Sequence, residues 1–349
     1  LESDGGIHET PRDNALQTRL TLARKARERD ATSFVERKAV NGARTGLRRW
    51  GYRRGVFKST RIPVPVITVG NVIAGGAGKT PVTIASVEHL KSQGYRPGVV
   101  SRGYGRQTRD CRAVATTSTA SEVGDEPLLI AAAVQVPVFV ASQRVEAAQA
   151  LLAAHPEVDV IVCDDALQHL ALQRDIEVCV FNSDGVGNGW LLPAGPLREP
   201  WPRAVDLVLF AGAPPRSPAG PHPAQFELKR TLAHQLRDAT GRTVELTSLR
   251  GTPVHAVAAV ARPEEFFGML RDRGLTVAAQ DALPDHYDFA DWTRRPTESA
   301  PLLCTEKDAT KLWPRQPDAL AAKLEVDIPA AFFQQLDALL KRYHLPLAR

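Results

Sequence analysis

The chain has 349 residues, a net charge of +5, and 43% hydrophobic, 24% charged and 6% aromatic residues, which supplies material for two hydrophobic cores and excludes a wholly disordered protein. No run approaches about 18 consecutive apolar residues, so no membrane-spanning helix is encoded, and the first fifteen residues lack the apolar stretch of a secretory signal. Cys111, Cys163, Cys179 and Cys304 are far apart in sequence and read as thiols of a reducing compartment, against a disulfide framework or a zinc cluster.

Residues 1–18 are rich in Gly and Asp and read as disordered. Between Arg19 and Arg61 there are 14 Lys or Arg against three acids, an electrostatic footprint for an anionic partner. Leu20, Leu22, Ala23 and Ala26 share roughly one helical face. In "LRRWGYRRGVF" (47–57) Trp50, Tyr52 and Phe57 alternate with arginines; a lipid-facing surface, a solvated charge run and a nucleic-acid contact are all open readings.

From residue 64 short apolar runs alternate with helix-length segments: "VPVITVG" (64–70), "RPGVVSRG" (96–103), "CRAVATT" (111–117), "VPVFVA" (136–141), "VDVIVCDD" (158–165), "IEVCVF" (176–181) and "VDLVLF" (205–210). Continuous apolar strands separated by helices predict an α/β domain, a mostly parallel sheet with helices on both faces. The prolines of "AGAPPRSPAGPHPAQ" (211–225) exclude a helix or a central strand and read as a linker. A second strand-then-helix pattern follows in 253–275, with further elements at 301–309 and 326–342. The expected organisation is a basic N-terminal segment (1–61), a core domain (62–211), a linker region (212–250) and a smaller C-terminal α/β domain (251–349) closing over a cleft.

The stretch "VGNVIAGGAGKTP" (69–81) follows the first apolar run and precedes a helix-compatible segment. A strand, a glycine-rich turn and a helix N-terminus can surround phosphate oxygens with backbone N–H groups, which makes this core P-loop NTPase-like. Gly75, Gly76, Ala77, Gly78, Lys79, Thr80 and Pro81 form the candidate nucleotide cradle, with Lys79 reaching the β and γ phosphates and the Thr80 hydroxyl on Mg²⁺. Ile73 stands where the usual spacing has glycine and is expected to crowd the loop, though Gly75 and Gly76 keep the turn mobile. Asp164 and Asp165 end an apolar strand and are the candidate magnesium carboxylates, Asp165 foremost; a plain surface turn is the alternative. For the acceptor side, Asp125 in "GDEP" (124–127) is a candidate general base or a helix cap, and His286 in "PDHYDF" (284–289) lies beside Asp285. Their meeting requires the two domains to close, excluding water.

These motifs, with "VVSRGYG" (99–105), "VCDDALQH" (163–169), "GNGWLLPAGPLRE" (187–199) and "CTEKDA" (304–309), occur in the order found in the tetraacyldisaccharide 4'-kinase family, which the chain resembles over roughly 62–310. The resemblance implies ATP-dependent, Mg²⁺-assisted phosphorylation of the 4'-hydroxyl of the lipid A disaccharide precursor. It places the enzyme peripherally at the cytoplasmic face of the Gram-negative inner membrane, on an anionic surface, with no nucleic acid and no obligate protein partner. It further implies Asp125 as catalytic aspartate paired with His286, Lys79 on the phosphates, and Thr80, Asp164, Asp165 and Glu199 around the metal. Arg102, Gln168, His169 and Asn188 would face the substrate, and Lys307 or Asp308 would lie near the nucleotide. Ile73 and Ala166 depart modestly from the family pattern. Residues 1–46 depart strongly, which implies either docking mainly by charge or an altered start or reading frame. Another P-loop NTPase, such as a GTPase or metallochaperone, is the competing reading.

Overall fold

A computed structural model describes residues 45–52, 54–76, 78–215, 223–294 and 300–343. The disorder expected over 1–18 and the helical face expected at Leu20 to Ala26 lie outside the described residues, as does Ala77.

Residues 45–52 are helical (α1). The first sheet contains β1 (Val66–Gly70), β2 (Pro97–Ser101), β3 (Arg112–Ala113), β4 (Val138–Val140), β5 (Val160–Asp164), β6 (Ile176–Phe181), β7 (Leu207–Phe210) and β8 (Ala224–Glu227), in the order β3-β4-β2-β5-β1-β6-β7-β8. Every pairing is parallel except β3 with β4. Helices α2 (Lys79–Ser92), α3 (Ala120–Val123), α4 (Asp125–Val134) and α5 (Arg144–Ala154) fill the crossovers.

The apolar runs are continuous because both faces of this sheet are covered. Successive side chains on a strand point to opposite faces, so Ile67 and Val69 enter one core with Val82, Val87 and Leu90 of α2. Val66 enters the other, with Ala147, Ala148 and Leu151 of α5. On β5, Val160 and Val162 take the first face and Ile161 and Cys163 the second. The run 111–117 contributes only the two residues of β3.

The second sheet contains β9 (Lys229–Arg237), β10 (Thr243–Glu245), β11 (Pro253–Ala258), β12 (Thr276–Ala282), β13 (Leu302–Thr305) and β14 (Leu320–Asp327), ordered β10-β9-β14-β13-β11-β12. Helices α6 (Pro263–Asp272) and α7 (Glu306–Leu312) belong to it, and α6 buries Phe266, Phe267 and Leu270 on one face.

Residues 212–250, expected as a linker region, therefore hold three strands. Chain crossing between the sheets takes place at a single buried residue, Leu228, between β8 and β9. The Pro-rich stretch lies before β8, an edge strand, where missing donors are tolerated. A second difference concerns α8 (Ala330–Leu340), which follows the second sheet but packs on the first: Phe332, Leu336, Leu339 and Leu340 share the core of Val82, Val87 and Leu90. His89 of α2 stacks on Phe333 and lies 2.9 Å from Asp337. Phe332→Ala is expected to cost about 3–5 kcal/mol through lost burial and the cavity left behind, read as a lower midpoint in urea unfolding, because it removes the plug between α8 and α2.

Candidate active site in the cleft between the sheets

β1 ends at Gly70 and the chain turns through buried Asn71, Val72 and Ile73. Ile73 pairs by an antiparallel bridge with Leu197 and packs with Leu167 and Phe181, so it faces the core and leaves the loop uncrowded. Gly78, at φ 76, caps α2 in the left-handed region, where a side chain is strained. Lys79 opens the helix and is buried. Gly75, Gly76, Gly78, Lys79, Thr80 and Pro81 line one wall of a cleft of about 890 Å³, into which the N-terminal N–H groups of α2 add positive potential.

Because β5 neighbours β1 in parallel register, Val69 opposite Asp164, the acidic pair lies at the same end of the sheet as the loop. The two aspartates have different surroundings. Asp164 is fully buried and accepts from the Thr83 hydroxyl at 3.1 Å and the Ser101 hydroxyl at 3.4 Å. Burial first, then the negative charges of Glu126 and Asp165, push its pKa up to about 7. Asp165, at φ 46, lines the cleft 3.8 Å from Lys79 Nζ and 3.2 Å from Arg198 Nη1. Burial works against its charge, but Lys79 and Arg198 outweigh it and hold its pKa below the ordinary value. Buried Arg144 donates to both Asp164 O and Asp165 O and fixes this turn.

Among the described residues no group of three His, Cys, Asp or Glu could hold a metal alone. Magnesium at a phosphate loop requires no such cage, since one or two carboxylates, substrate phosphates and water complete its shell. Thr80 and Asp165, hard oxygen donors lining the same cleft as Lys79, fit that demand, with Asp164 directly behind.

Glu199 is placed elsewhere. It is buried, accepts from Gln168 Nε2 at 2.8 Å and Arg203 Nη1 at 2.9 Å, and pairs with Arg49 of α1 at 3.5 Å. Gln168 Nε2 also donates to Asn71 O at 2.8 Å, so these two residues brace the glycine-rich loop from behind. His169 Nε2 accepts from the Arg144 backbone N–H at 3.1 Å. Burial, then Arg144, Arg48 and Arg102, push its pKa down to about 4, and it is a neutral acceptor. Asn188 bonds Ala194 O and Trp190 N, shaping its own loop. Arg102 is exposed. None of these substrate-side candidates lines the cleft itself.

The opposite wall brings together residues from both sheets. Asp125 opens α4 and is buried, and His286 Nδ1 lies 3.2 Å from its Oδ2. His286 has φ 64, is tied by its backbone N–H to Ala259 O at 3.1 Å, and has the Tyr104 ring 5.1 Å away. Lys311 Nζ donates to the same Asp125 oxygen at 2.6 Å. Burial would raise the Asp125 pKa, but hydrogen bonds from His286 and Lys311 and the charge of Lys307 outweigh it and lower it. Lys307 lines the cleft, 3.5 Å from Glu126 and 3.7 Å from Asp285. Asp308 is buried and accepts from Ala259 N and the Thr305 hydroxyl. Its carboxylate thereby braces the Thr305 hydroxyl, which caps α7 by accepting from the Asp308 backbone N–H. Arg230 of β9 reaches the loop, its Nη2 3.0 Å from where a Cβ on Gly78 would stand, and pairs with Glu265, which also binds Arg262. Arg144, Arg230 and Lys311 lie in no motif read above, and Arg198 lies in "GNGWLLPAGPLRE" without being singled out there. Only the lysine spacing of α7, one turn apart, hints at Lys311.

The family model of tetraacyldisaccharide-1-P 4'-kinase (LpxK) matches residues 38–341. The chain belongs to that kinase family. The tetraacyldisaccharide 4'-kinase of Acidovorax sp. (strain JS42) is 59% identical over 327 residues, covering 94% of this chain and 96% of that protein. That of Verminephrobacter eiseniae (strain EF01-2) is 58% identical over 305 residues, covering 86% of this chain and 69% of the relative. The crystal structure of "apo" form LpxK from Aquifex aeolicus in complex with ATP superposes with a TM-score of 0.76 at 27% identity, covering 90% of this chain and 99% of that one. As a member of the LpxK family the chain is an ATP-dependent kinase acting on a tetraacyldisaccharide 1-phosphate.

In this LpxK-family kinase the backbone of Gly78 can be separated from glycine effects elsewhere. Gly78→Ala adds roughly 1–2 kcal/mol of left-handed strain and displaces Arg230, and it is expected to raise the KM for ATP severalfold. Gly94→Ala, at φ 86 with nothing within 4 Å of the added Cβ, is expected to lower Tm slightly and leave that KM unchanged.

Proposed function

We propose that the cleft carries out transfer to the 4'-hydroxyl with Asp125 as general base, His286 as its orienting partner and Lys79 on the β and γ phosphates. The observation that carries this reading is the 3.2 Å approach of His286 to Asp125 on the wall facing the phosphate loop. A kinase base must be ionised and aimed at the hydroxyl proton. Asp125 Oδ2 is taken by His286 and Lys311, while Oδ1 accepts no hydrogen bond from a described residue. Oδ1 takes the acceptor proton as the sugar oxygen bonds to the γ phosphorus and the β–γ bridge breaks, releasing ADP. Lys79 and the α2 N-terminus stabilise the charge on the transferred group. Thr80 and Asp165, backed by Asp164, would hold Mg²⁺, which would supply positive charge to the phosphates. Lys307 borders the nucleotide side.

The substrate is membrane-held, and the segment beginning at α1 suits an anionic lipid surface at the cytoplasmic face of the inner membrane. Trp50 is 52% and Phe57 46% exposed, with Leu47 and Val56 also exposed, and Arg48, Arg54 and Lys58 lie exposed between and beside them. Apolar side chains interleaved with cations match an interfacial segment. Among the described residues no helix is long and apolar enough to cross a membrane. The pair of Arg49 with Glu199 couples this segment to the bracing of the phosphate loop.

Labelled γ-phosphate transfer from ATP to a detergent-dispersed tetraacyldisaccharide 1-phosphate is expected to require Mg²⁺ and to stop with EDTA. Asp125→Asn should lower kcat on the order of 10²–10⁴-fold, the usual worth of general base catalysis, with ATP binding preserved; near-normal turnover would rule Asp125 out as base. Lys79→Ala should impair both. For docking, flotation with vesicles containing anionic phospholipid is expected to be lost in a Trp50→Glu, Phe57→Glu double variant and weakened by salt in the parent; unchanged flotation would exclude this segment as the contact.

A further inference from the structure

Helix α7 carries Lys307 and Lys311 one turn apart, and adjacent side chains at the start of α4, Asp125 and Glu126, face them from the first sheet. Lys307 pairs with Glu126 at 3.5 Å and Lys311 with Asp125 at 2.6 Å. Lys311 Nζ also approaches His286 O at 3.4 Å, so it holds both the aspartate and the backbone of the histidine at its left-handed φ. Asp125 Oδ2 thus has two donors, and rotation of the carboxylate would break both bonds. We propose that Lys311 is a positioning residue of the phosphoryl transfer, pinning Oδ2 of Asp125 so that Oδ1 is presented to the acceptor hydroxyl only when α7 and α4 are brought together. This inference rests on the reading of Asp125 as base.

A merely structural ion pair would hold the two walls together without regard to which state of Asp125 reacts. The charge makes the difference. Asp125 bonds His286 and Lys311 and feels the charge of Lys307; around these partners stand Asp285 and Glu126, both paired with Lys307, Asp308 of α7, near both lysines, and Tyr104, beside the His286 ring. With three acids besides Asp125 in this group, removing one of two lysines leaves the carboxylate harder to ionise. A cation lost beside a carboxylate raises its pKa, so the ionised base disappears at higher pH than before. The acidic limb of the kcat profile must then move upward.

The test is the pH profile of kcat for γ-phosphate transfer by the full chain, compared among parent, Lys311→Met, Lys311→Gln and Lys311→Arg, with Asp125→Asn alongside and thermal unfolding as a check on folding. Lys311→Met is expected to move the acidic limb upward by about one pH unit, which lowers kcat by up to about tenfold at pH values on that limb, with the KM for ATP within about twofold of the parent. Lys311→Gln keeps a donor without the charge and provides the same readout should the Met variant unfold. Lys311→Arg restores the limb. A folded Lys311→Met or Lys311→Gln with the parental limb and kcat overturns the inference while Asp125→Asn remains inactive. An active Asp125→Asn overturns the base reading, and this inference with it.

Discussion

The parallel pairing of β1 with β5 is the constraint on which the site depends. It sets Val69 opposite Asp164, so the strand that ends in the glycine-rich loop and the strand that ends in the acidic turn finish at the same end of one sheet. Their side chains alternate between two cores, and a shift of one residue in either strand would move every apolar group to the wrong face. Register, cradle and acidic turn are therefore one structural fact. The polar residues at that end, Thr83, Ser101 and Arg144, are buried because they bind Asp164 or its carbonyl. Buried polar groups without such partners would destabilise it.

The second sheet contributes the opposite wall, and its attachment explains how two walls can meet within hydrogen-bond distance. Only Leu228 separates β8 from β9, and α8 returns to pack on α2 after the second sheet is complete. The helix that begins with Lys79 is thus braced at its far end by residues that follow the entire second sheet. Arg230, just two residues past the crossing, projects to Gly78 and pairs with Glu265 of α6. The walls are joined further by Lys307 with Glu126, Lys311 with Asp125 and Arg262 with Asp184.

Much of the first sheet is legible in the sequence, because strands buried on both faces read as unbroken apolar runs and the loop and acidic turn are short contiguous motifs. The approach of Asp125 to His286 is legible only as a demand of the chemistry, since 161 positions separate them. β9 is not legible: "KRTLAHQLR" mixes charge with scattered apolar residues because one end of it serves the cleft and its burial is partial. The destination of α8 is also hidden, as an amphipathic helix announces that it has a partner and not which one. Lys311, Arg230 and Arg144 look like solvated helix or strand charges in one dimension. Their meaning comes from carboxylates and carbonyls far away in the chain. Conversely, Glu199 and Gln168 lie in recognisable motifs, yet Gln168 reaches the loop through Asn71 O, Glu199 reaches it through Gln168, and neither lines the cleft.

Four described non-glycine residues have positive φ, and two of them, Asp165 and His286, stand on opposite walls of the cleft. A left-handed conformation costs about 1–2 kcal/mol for a residue with a Cβ, so each must be held by its surroundings. Arg144 holds the first through the carbonyls of Asp164 and Asp165, and Ala259 O and Lys311 hold the second. Burial of Arg144 lowers its pKa despite the nearby acids, a desolvation cost that a merely structural hydrophobe would avoid. The arrangement is intelligible if the backbone turns matter more than the stability they forfeit: the turn at Asp165 aims its carboxylate into the cleft while Asp164 remains in the core, and the turn at His286 aims the imidazole back across the gap at Asp125. A glycine would adopt either turn without strain and would supply neither group.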